Sequence, residues 1–144
     1  VIVIAGVIFA LMTPLLQTGF NAFFTQQNLS DADWQGRLVI ERMSRDLRSI
    51  PSTRNISIAT TTQLMYTDLN DNSVDYALSG TTLNLNGNTL AQGIASLGLA
   101  YYDANGATTA TIEDIRYISI QPNITQNNTN TTLMTVINLR NPFP

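Results

Sequence analysis

The first stretch of the chain, VIVIAGVIFALMTPLL, is apolar or small at every position through Leu16 except Thr13 and Pro14, the pattern of a helix surrounded by lipid or by other helices. Beyond Gln17 the pattern becomes one-sided. Trp34, Leu38, Ile40, Met43, Leu47 and Ile50 recur at mostly three- and four-residue steps, while Arg, Asp and Glu take the other face. That spacing predicts an amphipathic helix whose apolar stripe, with Trp34, Leu38, Met43 and Leu47 as its anchors, packs on the rest of the chain. Ile50-Pro51 ends it, because a residue before proline is pushed out of the α region and Pro51 has no N–H to donate. Residues 1–50 thus read as one N-terminal helix with an apolar segment at 1–24 and an amphipathic half at 25–50. At about 1.5 Å per residue such a helix is about 75 Å long, too long for one compact domain, so its first half is expected to project.

After Pro51 the period shortens to two. Candidate strands are Ile56 to Ala59, Gln63 to Thr67, Ser73 to Leu78, Thr81 to Asn86, Ile94 to Asp103, Asp114 to Gln121 and Leu133 to Leu139. Turn chemistry separates them at Asn70-Asp71, Ser79-Gly80, Asn86-Gly87 and Asn105-Gly106, with the firmest hairpin at Asn86-Gly87. Between Pro122 and Thr132 the run PNITQNNTNTT has no apolar period and reads as an exposed loop. The expected fold is α+β: a long helix packed by its C-terminal half on an antiparallel β-sheet head of residues 51–144.

The 144 residues suit one domain, and their mean hydropathy near zero averages an apolar start with an Asn-, Thr- and Ser-rich remainder. Only 12% of residues are charged and the net charge is −3, which argues against a nucleic-acid footprint of clustered positive charge. Every basic residue is Arg. Arg37, Arg42, Arg45 and Arg48 fall in one stretch but are interleaved with Asp33, Glu41 and Asp46, a solvated and self-paired helix face in which a pair such as Glu41 to Arg45 contributes about 0.3 kcal/mol. Without Cys the chain has no disulfide and no thiolate metal site.

The same inventory thins the catalytic options, since His, Lys and Cys are all absent and with them most nucleophile and base pairings. Asp68, Asn70 and Asp71 place oxygen ligands at short spacing and are a weak Ca²⁺ candidate, without the long loop and terminal Glu of a dedicated site. Glu113-Asp114 would point to opposite faces of a strand, and Tyr101-Tyr102 reads as one in, one out. Sequons at Asn123, Asn127 and Asn130 make that region the best candidate for sugar, with further sequons at Asn28 and Asn55. No cofactor is expected.

Three readings compete for the apolar start. A cleaved signal would need a basic leader and a small-residue cleavage site, and neither is present. A simple anchor needs about 20 apolar residues, and this run gives way at Gln17. The third rests on a resemblance. VIVIAGVIFALMTPLL resembles the interior of the N-terminal helix of type IV pilins and the related type II secretion pseudopilins. Their mature chains begin with a Phe-Thr-Leu-Ile-Glu type sequence and run into Ile/Val-rich helix with a Gly and, in many pilins, a Pro at the spacing of Gly6 and Pro14. On that alignment the family's methylated first residue and nearby glutamate fall before Val1, so the mature chain is expected to start upstream of it. QGRLVIERMSRDLRSI, residues 35–50, resembles the helix end of pilin-like proteins of the J and W minor type, and YTDLNDNSVDYALSGTTLNLNGNTLAQGIASLGLAYYDANG is similar to their hairpins.

The resemblance implies the pilin fold and a non-enzymatic subunit that polymerises into a helical filament of identical copies. Val1, Ile4, Gly6, Ile8, Phe9, Leu11, Pro14 and Leu15 would pack the filament core. It further implies an inner-membrane pool before assembly, handling by pilus or secretion assembly machinery, and a final place in an extracellular filament on the cell surface. Pro14 costs about 3 kcal/mol in a helix interior and Gly6 about 1 kcal/mol, so the segment between them is expected to extend in the assembly. The alternative within the family is a minor pseudopilin at the tip of a type II secretion pseudopilus. A membrane-tethered binding or hydrolytic domain is the reading from another class.

Overall fold

The computed structural model describes residues 31–126 and 129–139, together with isolated helical positions at 14, 17, 18, 21 and 22. Helix α1 covers residues 31–47. Its end is closed by short-range bonds, Ser49 N–H to Asp46 O at 3.0 Å and Ile50 N–H to Leu47 O at 3.3 Å, before Pro51 withholds the next donor. A 3-10 turn, Thr53–Asn55, is capped by Ser52 and leads into nine strands: β1 (Ile56–Ala59), β2 (Gln63–Thr67), β3 (Ser73–Ser79), β4 (Thr82–Leu85), β5 (Asn88–Gln92), β6 (Ile94–Tyr102), β7 (Tyr117–Gln126), β8 (Thr129–Thr132) and β9 (Thr135–Asn138).

The strands form two antiparallel sheets. The first is a five-stranded meander in the order β1-β2-β3-β4-β5, with Met65 opposite Asp75 and Leu78 opposite Leu83. The second centres on β7, which pairs with β6 on one side and with both β8 and β9 on the other. Gly93 separates the sheets at φ +74°, a conformation that L side chains adopt at a strain of about 1 to 2 kcal/mol. Bonds from Ile94 N–H to Thr81 O (3.0 Å) and Leu99 N–H to Thr61 O (2.9 Å) tie the second sheet to the first. The Tyr101 hydroxyl adds a third tie by donating to Thr60 O at 2.8 Å.

These observations correct the expected fold. The described chain is mostly β, about 47% strand, with one helix at residues 31–47 and two antiparallel sheets, not a long helix packed on a sheet. The physical reason is that β2 and long parts of β6 and β7 alternate in burial, while positive-φ positions at Asp71, Gly80, Asn86 and Gly87 reverse the chain after short runs. The expected loop at 122–132 is corrected too. Pro122 and Ile124 continue the buried alternation of β7, so the strand runs on to Gln126 and β8 pairs back on it. Strand β5 is a further addition, completing the hairpin at Asn86-Gly87.

The core lies where α1 meets both sheets. Ala32, Val39, Met43 and Leu47 have no exposed surface, and Gly36 is buried in the same row. Facing them are Tyr66, Tyr76 and Leu83 of the first sheet and Ile118, Ile124 and Ile137 of the second, all essentially inaccessible. At Gly36 the approach is so close that a Cβ would stand 2.6 Å from Leu133 Cδ1 and 2.7 Å from Ile124 Cδ1. Gly98 is the looser case, where a Cβ would make ordinary contact with Gln121.

Candidate functional site

The apolar start of the chain leads in sequence into α1, whose seam with the sheets joins that segment to the head. The row that packs is rotated from the expected one. Met43 and Leu47 are fully buried as anticipated, but Leu38 is half-buried and Trp34 is 65% exposed. The packed row is Ala32, Gly36, Val39, Met43 and Leu47, which keeps the three- and four-residue period while its smaller members let the helix backbone come close to the strands. Polar bonds fix the seam laterally. Asp46 Oδ2 accepts from the Tyr76 hydroxyl at 2.6 Å and from Arg42 Nε at 3.0 Å, and Gln35 Oε1 accepts the Gln92 N–H at 3.4 Å. Burial, reinforced by the Asp46 hydrogen bond, pushes the Tyr76 hydroxyl well above its ordinary range, and burial does the same to Tyr66 and Tyr101.

The rotation leaves the outer flank of α1 uncovered. A groove of about 880 Å³ runs along it, lined by Ile40, Arg45, Arg48, Leu69 and Thr135 among others, and continues into a hollow of about 390 Å³ bounded by Trp34, Leu38, Leu133 and Met134. Ile40 and Glu41 belong to both. Arg37 leans back to Asp33 at 2.7 Å, whereas Arg45 and Arg48 form no ion pair among the described residues.

No family model, curated protein or solved structure matches the chain.

The remaining anticipated residues are dispersed. Asp68 spends its carboxylate on its own turn: Oδ1 accepts the N–H of Asn70 at 2.8 Å and of Asn72 at 2.9 Å, and these bonds, that from Asn72 foremost, hold it below the usual carboxylate range. Asn70 and Asp71 are exposed parts of the same turn, with Asp71 at φ +60°. Among the described residues no group of acidic side chains is arranged to hold a metal ion. Glu113 and Asp114 lie exposed in a 3-10 turn, Ile112–Asp114, where a strand was expected, and Tyr101 is buried with Tyr102 half-buried beside it.

Of the sequon residues, Asn130 is exposed in β8 and its Oδ1 accepts from Thr125 Oγ1 at 2.6 Å. Asn123 is half-buried in β7, where its Oδ1 has no hydrogen-bond partner among the described residues, and Asn127 lies outside them. Val1, Ile4, Gly6, Ile8, Phe9, Leu11 and Leu15 also lie outside them. Pro14 is described; it is helical and exposed, and its carbonyl accepts the Thr18 hydroxyl at 2.8 Å. Among the described residues no helix is long and apolar enough to cross a membrane.

Reading the sequence alone misses the groove's second wall, Leu133, Met134 and Thr135. The available signal was the alternation around Ile137, which places Met134 and Val136 on the face opposite a buried residue.

Proposed function

We propose that this chain is a non-enzymatic structural subunit that polymerises through its apolar N-terminal segment into an extracellular pilus-like filament on the cell surface. The observation that carries this reading is the seam between α1 and the two sheets. The helix that follows the apolar segment in sequence is buried along a full row and bonded at Asp46 and Gln35, so a load on the segment passes into the β core. A mere tether needs no such joint. The resemblance of residues 1–16 and 35–50 to pilin-like chains adds the mode of assembly, with identical copies packing through the apolar segment after release from an inner-membrane pool by assembly machinery. Chemistry points the same way, because a chain without His, Lys or Cys has few routes to a catalytic base or nucleophile.

The Arg-rich helix end supports a second reading, a minor pseudopilin confined to a tip. Electron microscopy of filaments sheared from expressing cells, with gold-labelled antibody to the head, separates the two. Labelling along the whole filament is the expected result. Labelling only at ends supports the tip reading, and recovery of the chain solely as membrane-bound monomers overturns both.

A further inference from the structure

The large apolar side chains that stand exposed among the described residues are Trp34, Leu69, Met134 and Val136. Three of them gather in one place: Trp34 and Met134 line the hollow beside α1 and Leu69 the groove it continues from, while Val136, in β9, lies outside both linings. Among the described residues, where exposed large apolar side chains are few, a cluster of this kind marks a contact surface.

The wall opposite α1 is the edge of a sheet. Among the described residues, strand β9 pairs with β7 and with no other strand. The Leu133 N–H donates to Pro122 O and the Leu139 N–H to Arg116 O, both on the β7 side. Because successive residues of an antiparallel strand turn their backbone groups to opposite sides, the N–H and C=O groups of Met134, Val136 and Asn138 face away from β7. An edge with unpaired donors and acceptors is a template for one more strand.

We propose that this groove docks an extended segment of a partner polypeptide, apolar at alternate positions and carrying a carboxylate, which adds to the free edge of β9. Three features select that occupant. The outward backbone groups of β9 need both donors and acceptors, which an extended peptide offers and which a helix, having satisfied its own, does not. A lipid surface supplies no row of donors for the carbonyls. The apolar floor takes every second side chain, since alternate residues of a strand share a face. Arg45 and Arg48, without ion-pair partners among the described residues and opposed in the groove by Glu41 alone, favour a carboxylate on the occupant. The proposal does not depend on the filament reading.

The test uses the full chain in nanodiscs of zwitterionic lipid and a capped synthetic peptide, Thr-Val-Glu-Val-Glu-Val-Thr. Trp34 is the sole tryptophan and stands in the groove, so its emission reports occupancy directly. A saturable blue shift is expected. Val136→Pro removes only an outward N–H from an edge strand and should weaken binding about tenfold or more with unchanged thermal unfolding. Should that variant unfold, the same peptide N-methylated at alternate residues makes the equivalent test on the unaltered protein and should fail to bind. Arg45→Gln with Arg48→Gln should weaken the Glu peptide but not its Gln counterpart. Equal binding of the plain and N-methylated peptides, or no binding of either, overturns the proposal. So does a Trp34 shift produced by anionic lipid alone, which would assign the groove to a membrane surface, or self-association that Val136→Pro abolishes without any peptide binding, which would assign the edge to a second copy.

Discussion

The Asp46 carboxylate on α1 accepts the Tyr76 hydroxyl from β3 at 2.6 Å, while its neighbour one turn back, Arg42, donates to the same oxygen at 3.0 Å. Tyr76 is fully buried and the Asp46 side chain is 18% exposed, so this bond crosses from the partly wet flank of the helix into the core. Asp46→Ala leaves a buried hydroxyl without an acceptor and should destabilise the fold by about 2 to 3 kcal/mol. Tyr76→Phe removes the donor but leaves Asp46 paired with Arg42, so its loss should be nearer about 1 kcal/mol. The double variant should lose less than the two singles together by about 1 kcal/mol, which urea denaturation of the four proteins in a double-mutant cycle would measure; strict additivity would mean the bond carries no coupling.

Alkaline pH should undo the core through its tyrosines. Burial raises the hydroxyls of Tyr66, Tyr76 and Tyr101 far above the ordinary value of 10.0. Since the folded state holds these protons more tightly than the unfolded state does, their contribution is intact below about pH 10 and is lost as pH rises beyond it. Each tyrosine that stays protonated in the fold contributes a slope of about 1.4 kcal/mol per pH unit there. Urea midpoints recorded from pH 8 to pH 12 should be flat up to about pH 10 and then fall, and Tyr101→Phe should make the fall shallower. A slope unchanged by that substitution would show that Tyr101 ionises freely in the fold.

How much of this was legible in the sequence depends on how far each feature reaches along the chain. Strands β1 and β2 match the expected Ile56 to Ala59 and Gln63 to Thr67, because alternation and turn residues are local signals. The division into two sheets was not legible, since it rests on the positive φ of Gly93 and on the register of β6 against β7, both set by distant partners. The helix row was misphased for a different reason. Trp34 and Leu38 dominate any hydropathy pattern, whereas Ala32 and Gly36 are small and inconspicuous yet occupy the positions where strands come closest. The groove needed both walls, residues 34–48 and 133–135, and nothing local announces their meeting.

That misphasing makes a direct comparison of two residues informative. Trp34, at 65% exposed, touches little of the core, so Trp34→Ala should change stability by no more than about 0.5 kcal/mol. Met43, at 0% exposed in the packed row, should cost about 2 to 5 kcal/mol on truncation to Ala. Thermal unfolding of the two variants decides which row faces the sheets. The reverse order would restore the row centred on Trp34.

Gly36 should tolerate one methyl and no more. Ala gains about 1 kcal/mol of helix propensity over Gly, but its Cβ enters the space of two side-chain ends, Leu133 Cδ1 and Ile124 Cδ1. Both are terminal methyls that can swing aside, so Gly36→Ala should come out within about 1 kcal/mol of the parent. Gly36→Val adds bulk that those methyls cannot clear and should cost about 3 kcal/mol, near the upper end for overpacking. Guanidinium denaturation would check both, and a stabilised Val variant would mean that α1 can lift from the second sheet without loss.

The tightest turn in the first sheet gives the most local prediction. The Asn86 N–H donates to Asp75 O at 2.8 Å, and the Asn86 side-chain oxygen accepts the Asp75 N–H at 2.7 Å, so one residue closes the β3 edge from both directions. Asn86 stands at φ +52° and Gly87 at φ +78°, the positive pair that a two-residue hairpin requires. Gly87→Val forces a β-branched residue into that conformation at about 1 to 2 kcal/mol. Asn86→Ala should lose a similar amount, through the strain and the missing acceptor together. The damage should stay in the β4–β5 hairpin, because β7 takes its ladder bonds from β6, β8 and β9 instead. Hydrogen exchange should therefore quicken at Thr89 and Ala91 while Ile118 and Ile120 keep their protection. Equal acceleration in both sheets would show that the two unfold as one unit and that the hairpin governs the whole head.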